Sequence, residues 1–157
     1  MSSAHALMEY EEFNRIAPDV TAALAALGAA VDKSGLEKDL TELIKLRASQ
    51  MNGCAFCTQF HLNIARKNNV APEKLDLVAV WHDAPIYTPR ERAALDWTEQ
   101  LTSPPRGGAT DTAFTALQDQ FSTQEIAFLT AAIANINAWN RIAGGLRFTP
   151  PVPRRNA

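Results

Sequence analysis

The chain is organised around residues 51–61, which read Met51-Asn52-Gly53-Cys54-Ala55-Phe56-Cys57-Thr58-Gln59-Phe60-His61. Asn52-Gly53 is a breaker pair suited to the positive backbone angles of a helix end. We therefore expect one helix to end there and the next to start at Cys54 and run to about Asn68. Both cysteines of the chain fall at the start of that second helix, and His61 follows Cys57 by four residues.

Length and composition fit one globular domain. The chain has 157 residues, of which 46% are hydrophobic and 20% charged. We expect one domain over residues 1–149, with a core at about 36–145 and a Pro/Arg-rich tail at 150–157. The net charge of -2 argues against a nucleic-acid partner. No apolar run reaches the ~18 residues of a membrane span. No secretory signal is recognisable at the start, which favours a cytoplasmic location.

Hydrophobic periodicity predicts an all-α fold with six or seven helices. Apolar residues recur at helical spacing, and no segment shows a sustained two-residue alternation. The predicted helices cover about 18–33, 36–51, 54–68, 72–82, 89–101, 111–120 and 123–143, with Gly144-Gly145 closing the last. The first and last helices carry apolar residues on more than one side, which indicates a homo-oligomer.

The cysteine stretch brings two sulfurs and an imidazole together. Unpaired backbone N–H groups and the helix dipole stabilise a thiolate at a helix start. His61 lies on the same helix face as Cys57, so its ring can take the thiol proton or hold the thiolate as an ion pair. Cys54 is close enough to Cys57 to close a disulfide. In a reducing cytosol such a pair indicates a redox site or a metal site.

Glu42 is a candidate partner of His61. If the chain reverses at Asn52-Gly53, a rise of ~1.5 Å per residue places the two side chains at nearly the same level. A carboxylate there can fix the imidazole tautomer. The alternative is that Glu42 pairs with Lys38 or Lys45 on a solvated helix face.

The spacing of Glu42, Cys54, Cys57 and His61 resembles the alkylhydroperoxidase D-like (AhpD-like) group of the carboxymuconolactone decarboxylase superfamily. The stretches 43–50, 91–95 and 137–141 are also similar to its smaller members. The resemblance covers roughly residues 36–145. It implies an all-helical subunit of a homo-oligomer, often a trimer or hexamer. The decarboxylases of the superfamily are not expected to carry the cysteine pair, so the superfamily name indicates a fold here.

The resemblance also implies a thiol peroxidase that needs no cofactor beyond its two thiols. Carried over by residue, Cys57 is the peroxidatic cysteine, Cys54 the resolving cysteine, His61 the base and Glu42 its partner in a proton relay. The implied partners are a hydroperoxide and a dithiol reductant, either a lipoyl protein or a thioredoxin-type protein. One departure from the best-studied pattern is Phe56, which stands where that pattern has a histidine.

Three other interpretations stay open. The dithiol can serve a redox sensor or disulfide exchanger with little peroxide turnover. Cys54, Cys57 and His61 can supply three zinc ligands, with His82 or an acid as the fourth. The cysteines can also be inert core residues.

A separate question concerns the polar run on the last helix, which consists of Asn135, Asn137, Asn140 and Arg141. These residues either cap neighbouring helices or line the site.

Overall fold

The computed structural model describes residues 6–154, so residues 1–5 and the last three residues of the predicted tail lie outside it. Within 6–154 the chain forms eight α-helices, one short 3-10 helix and no strand, which confirms the all-α prediction. The α-helices are α1 (Tyr10–Ile16), α2 (Pro18–Asp32), α3 (Lys38–Met51), α4 (Ala55–Lys67), α5 (Pro72–Leu77), α6 (Pro89–Thr102), α7 (Asp111–Gln118) and α8 (Thr123–Leu146), and Val78–Val80 form the 3-10 helix.

The helix that exceeds the predicted number is α1. The Tyr10 ring meets the edge of Phe148 with the centroids 5.9 Å apart, and Phe13 also packs on Phe148. The backbone N–H groups of Leu7 and Met8 both donate to the carbonyl oxygen of Leu146. The short helix is therefore held by contacts with the far end of the chain, which local periodicity does not reveal.

Helix α3 is the centre of the structure. It packs against α4, α6 and α8, and eight of its 14 residues are buried, so it has almost no solvated face. Leucines and an isoleucine fill most of this surface, yet the buried set also includes the polar residues Thr41, Glu42 and Ser49. A polar group in such a place needs a partner. Thr41 and Ser49 donate to backbone carbonyls one turn earlier in α3, whereas Glu42 finds its partners among the site residues described below.

The turn between α3 and α4 forms where the sequence predicts it. Asn52 is the C-cap of α3, and Gly53 has φ +65°, a conformation that favours glycine. Cys54 then serves as the N-cap of α4. The predicted helix start is thus correct to within one residue, and α4 returns along α3 after a very short connection.

An amide network fastens this turn to α8. The Asn52 side chain donates to the Oδ1 atoms of Asn137 and Asn140, each at 2.9 Å. Asn140 is buried and donates in turn to the Ser49 hydroxyl at 3.0 Å. Asn137 and Asn140 therefore anchor the end of a neighbouring helix. This is one of the two roles that the sequence left open for them, the other being to line the site.

Two further features concern helix ends and surfaces. Helix α8 continues through Gly144-Gly145 to Leu146 and ends at Arg147, whose φ is +56°. The predicted end at the glycine pair is therefore wrong by a few residues. This part of α8 packs beside Cys54, since a Cβ atom on Gly144 would lie 3.9 Å from Cys54 Cβ. Among the described helices none is long and apolar enough to cross a membrane.

We predict that Asn140→Leu lowers the free energy of unfolding by about 1–3 kcal/mol, because it removes the acceptor of one hydrogen bond of the half-buried Asn52 amide and the buried bond to Ser49. Urea unfolding measures the change. Arg141→Ala, at the exposed neighbouring position, serves as the control and should shift stability by less than about 0.5 kcal/mol. Equal stabilities for the two variants would show that the network does not hold the turn.

Candidate active site

Cys54 and Cys57 are joined as a disulfide, with Cα atoms 5.4 Å apart. Both are buried, with 1% and 3% of their surfaces exposed. The Cys57 backbone N–H donates to Cys54 Sγ at 3.2 Å, so one of the free N–H groups of the helix start acts directly on the Cys54 sulfur. The two sulfurs are within bonding reach, as the three-residue spacing predicts.

Glu42 and His61 form the hydrogen bond that the helical rise predicts. The distance from Glu42 Oε2 to His61 Nδ1 is 2.7 Å. Glu42 projects from the middle of α3 and has no exposed surface, whereas His61 projects from α4 one turn after Cys57. The bond engages Nδ1, which leaves Nε2 as the ring nitrogen that can accept a proton.

The ion pairs with Lys38 and Lys45, which were the alternative for Glu42, are also present. Glu42 is buried, however, and not on a solvated helix face. Its other oxygen, Oε1, lies 3.0 Å from Lys45 Nζ and 3.2 Å from Lys38 Nζ. Burial alone would raise the pKa of Glu42, but the hydrogen bond and charge of His61 and the ammonium of Lys45 outweigh it and lower the pKa to about 2. Glu42 is therefore a carboxylate throughout the physiological range, and it can orient the imidazole at any working pH.

A cavity of about 260 Å³ adjoins this cluster. Cys57 and His61 both line it, whereas Cys54 does not. The remaining lining residues come from α1, α2, α3, α4 and α8: Tyr10, Thr21, Leu24, Ala25, Gly28, Lys45, Phe56, Phe60, Asn135, Ile136 and Trp139. Of the two sulfurs, the one belonging to Cys57 is thus the one that faces a space for a small molecule.

Several of these lining residues were not expected from the sequence. The contributions of α1 and α2 depend on tertiary packing, and no motif in the sequence singles out Trp139. Asn135 differs from the other asparagines of α8, because it lines the cavity and does not anchor a helix end. Phe56 forms part of the wall and stacks on Phe60 with a centroid distance of 5.9 Å. The departure at this position therefore places an apolar ring in the wall where the family pattern has a polar one.

The zinc interpretation finds no ligand set in the structure. Across residues 6–154 no group of three or more His, Cys, Asp or Glu side chains is placed to hold a metal ion. His82 is 2.9 Å from Glu99, which also accepts hydrogen bonds from Arg47 and Trp81. His82 therefore belongs to a separate cluster that joins α3, α6 and the segment after the 3-10 helix, and it is not placed to be the fourth ligand of the zinc alternative.

Comparison with known proteins identifies relatives of the chain. The model of the carboxymuconolactone decarboxylase family matches residues 18–100, more than half of the chain. An uncharacterized protein of Bacillus subtilis (strain 168), YdfG, is 31% identical over 131 residues, which cover 83% of this chain and 89% of that protein.

Solved structures share the fold. ATU0492 from Agrobacterium tumefaciens, a protein of unknown function described as a putative antioxidant defence protein AhpD, has a TM-score of 0.88 and 41% identity, covering 95% of this chain and 100% of that one. The AhpD core of an uncharacterized peroxidase-related protein from Ralstonia eutropha JMP134 has a TM-score of 0.78 and 27% identity, covering 91% of this chain and 80% of that one. Together these matches show that the chain belongs to the carboxymuconolactone decarboxylase family and is an AhpD-like member of it.

Proposed function

We propose that the protein is a thiol-dependent peroxidase-like oxidoreductase, which reduces hydroperoxides through a dithiol/disulfide cycle of Cys54 and Cys57. One observation carries the proposal. Cys57 faces a cavity that it shares with His61, and the ring of His61 is fixed by the buried carboxylate of Glu42. A nucleophile, a base and a group that orients the base are the components of an activated thiol.

The first step is attack on the hydroperoxide. In the reduced protein, His61 Nε2 takes the thiol proton of Cys57, and the resulting thiolate attacks the terminal oxygen of R–O–OH. The O–O bond breaks, Cys57 becomes a sulfenic acid, and the leaving alkoxide receives the proton from His61 to become the alcohol R–OH. Sulfur is oxidised by two electrons and the peroxide is reduced by two.

The second step closes the disulfide. The Cys54 sulfur attacks the sulfenic sulfur of Cys57, and the hydroxyl leaves as water after taking the thiol proton of Cys54. The Cα–Cα distance of 5.4 Å lies within the usual range for a disulfide. An external dithiol then reduces the pair by thiol–disulfide exchange and becomes a disulfide itself. We propose a lipoyl protein or a thioredoxin-type protein as the donor, in the cytoplasm.

The burial of the disulfide limits which dithiol donors can reach it. Cys54 is almost fully buried, and Cys57 is reached from the cavity. A dithiol on a slender arm therefore has better access to the disulfide than a motif on a flat protein surface. The description of the Agrobacterium tumefaciens relative as a putative antioxidant defence protein supports the same reaction class.

We also propose that the chain works as a homo-oligomer, a trimer or hexamer. Helix α2 is rich in alanine and leucine, yet Val31 is its one buried residue in the described structure, and Val20 and Leu27 are exposed. Such a face gains from burial against another subunit.

Light scattering at micromolar concentration should return a multiple of the chain mass, because burial of the α2 face favours association. The double variant Val20→Glu, Leu27→Glu should return a smaller assembly, since it places charges in the contact. A monomer for the parent protein would refute the assembly.

Replacing each of the two cysteines should have a different effect on the reaction. Cys57→Ser should slow peroxide consumption at least ~100-fold, because it removes the nucleophile. Cys54→Ser should still reduce about one equivalent of peroxide and stop as a sulfenic acid, a mass gain of about 16 Da. Stopped-flow kinetics with a dithiol donor and intact-protein mass spectrometry measure both outcomes.

The opposite pattern, with Cys54 as the sulfur that reacts first, would contradict the assignment. If the parent protein forms the disulfide but turns over peroxide too slowly for an enzyme, the chain is a redox sensor or disulfide exchanger.

Replacing Glu42 should affect stability in a pH-dependent way. Because its pKa is lowered on folding to about 2, the carboxylate contributes stability above its ordinary pKa of 4.5, and this stability is lost as the pH falls through the interval between the two values. Relative to the parent, Glu42→Gln should lose stability at pH 5 and clearly less at pH 3.

Urea unfolding at the two pH values tests this expectation. Glu73→Gln, at an exposed carboxylate of α5, is the matched control and should show little change at either pH. A constant loss for Glu42→Gln at both pH values would mean that the native carboxylate is not held charged by its neighbours. The rate of peroxide consumption should also fall in Glu42→Gln, since His61 loses its orienting partner.

A further inference from the structure

Two ammonium groups contact the buried carboxylate of Glu42 at one oxygen. Lys45 Nζ lies 3.0 Å from Oε1, and Lys38 Nζ lies 3.2 Å from the same atom. The other oxygen, Oε2, is 2.7 Å from His61 Nδ1. The charge of Glu42 is therefore shared between two cations and one imidazole ring.

The two lysines have different surroundings. The Lys38 side chain is 41% exposed, and its ammonium also bonds Asp32 at 2.9 Å. The Lys45 side chain is 13% exposed, and the residue lines the cavity together with Cys57 and His61. Solvent screens the charge of Lys38 more strongly than that of Lys45. Lys45 is therefore the cation that acts most strongly on this carboxylate and on the ring bonded to it.

Neutralisation of the carboxylate alone does not explain a lysine at position 45. Lys38 already supplies one cation to Glu42. A second lysine that is mostly buried costs desolvation and side-chain entropy. The further effect of Lys45 falls on the third partner of the carboxylate, which is the ring of His61.

Few other charges act on this ring. Within α4, Cys57 is locked in the disulfide and does not titrate. Helix α1 contributes Tyr10 to the cavity lining, and the lining residues from α2 and α8 carry no charge. Helix α5, which also packs against α4, contributes none of the lining. In the described structure the protonation of the ring thus depends on Glu42, which draws a proton onto it, and on Lys45, which opposes this effect.

We propose that Lys45 keeps the His61 ring free of a second proton in the disulfide form, so that Nε2 can accept the proton of the incoming dithiol. The dithiol attacks as a thiolate, one sulfur–sulfur bond breaks as another forms, and the proton passes from Nε2 to the cysteine sulfur that leaves. Lys45 is a positioning residue in this step, since it acts on the ring through Glu42 and not on the dithiol. This inference rests on the proposed function, whose cycle requires reduction of the disulfide.

Nitrogen-15 NMR of the disulfide form measures the pH at which the His61 ring takes up half a proton. The chain has three histidines, and comparison with His61→Ala identifies the signal. Lys45→Met should move this midpoint up by at least about half a pH unit, because the ring then faces the carboxylate with one opposing cation fewer. Lys45→Arg, which keeps the charge, should leave the midpoint within about 0.2 pH unit of the parent value.

Lys38→Met is the matched control, because it removes a cation from the same carboxylate oxygen. Its more exposed charge is screened by solvent, so the midpoint should move by less than about half of the shift seen for Lys45→Met. Lys45→Gln is a second neutral variant that should behave like Lys45→Met, and it replaces that variant in the comparison if the methionine chain does not fold.

Reduction of the disulfide by dihydrolipoamide gives a kinetic test of the same effect. The rate should rise with pH as the ring becomes a free base, and Lys45→Met should move this rise to higher pH in parallel with the NMR midpoint. The titration of dihydrolipoamide itself cancels in the comparison, because every variant receives the same dithiol.

An unchanged midpoint in the neutral variants of Lys45 would overturn the inference, even if the protein consumed peroxide. An equal shift for Lys38→Met would overturn it as well, because net charge alone would then set the protonation of the ring. The expected shifts in a protein that consumes no peroxide would support the role of Lys45 beside His61 and refute the peroxidase cycle.

Discussion

The buried carboxylate of Glu42 is the interaction on which the site depends. An ion in the interior costs several kcal/mol unless it is paired and hydrogen-bonded. Here one oxygen bonds His61 Nδ1, and the other lies between the ammonium groups of Lys38 and Lys45. Solvent does not reach the carboxylate, because Glu42 has no exposed surface. Its hydrogen bond to His61 therefore joins α3 to α4 and orients the imidazole.

The turn at residues 52–54 determines where the two sulfurs lie relative to Glu42 and His61. Gly53 allows α4 to start immediately after α3, and the Asn52 amide ties the turn to α8. As a result Cys54 caps α4, while Cys57 reaches the cavity one turn before His61. The helix start thus acts on the Cys54 sulfur, whereas Cys57 lines the cavity together with His61. This division of the two environments suits a nucleophile and a resolving partner with different tasks.

The sequence allowed prediction of those features that depend on neighbouring residues or on two adjacent helices. The turn, the cysteine pair and the approach of Glu42 to His61 follow from breaker residues and helical rise. The rest depends on distant packing. Helix α1 exists because Tyr10 meets Phe148, and the cavity joins Thr21 of α2 to Asn135 of α8. No local pattern places such segments together. The catalytic roles of the site residues stay a prediction.

The most direct measurement is the alkylation rate of each cysteine in the reduced protein across a range of pH. Both cysteines lie between Arg47 and Arg66, so tandem mass spectrometry of that tryptic peptide must assign the label. We expect Cys57 to react faster than Cys54 and at lower pH than a free thiol, and His61→Ala to remove this advantage. Faster reaction at Cys54, or a Cys57 rate unchanged by His61→Ala, would contradict the role of Cys57 as the activated nucleophile.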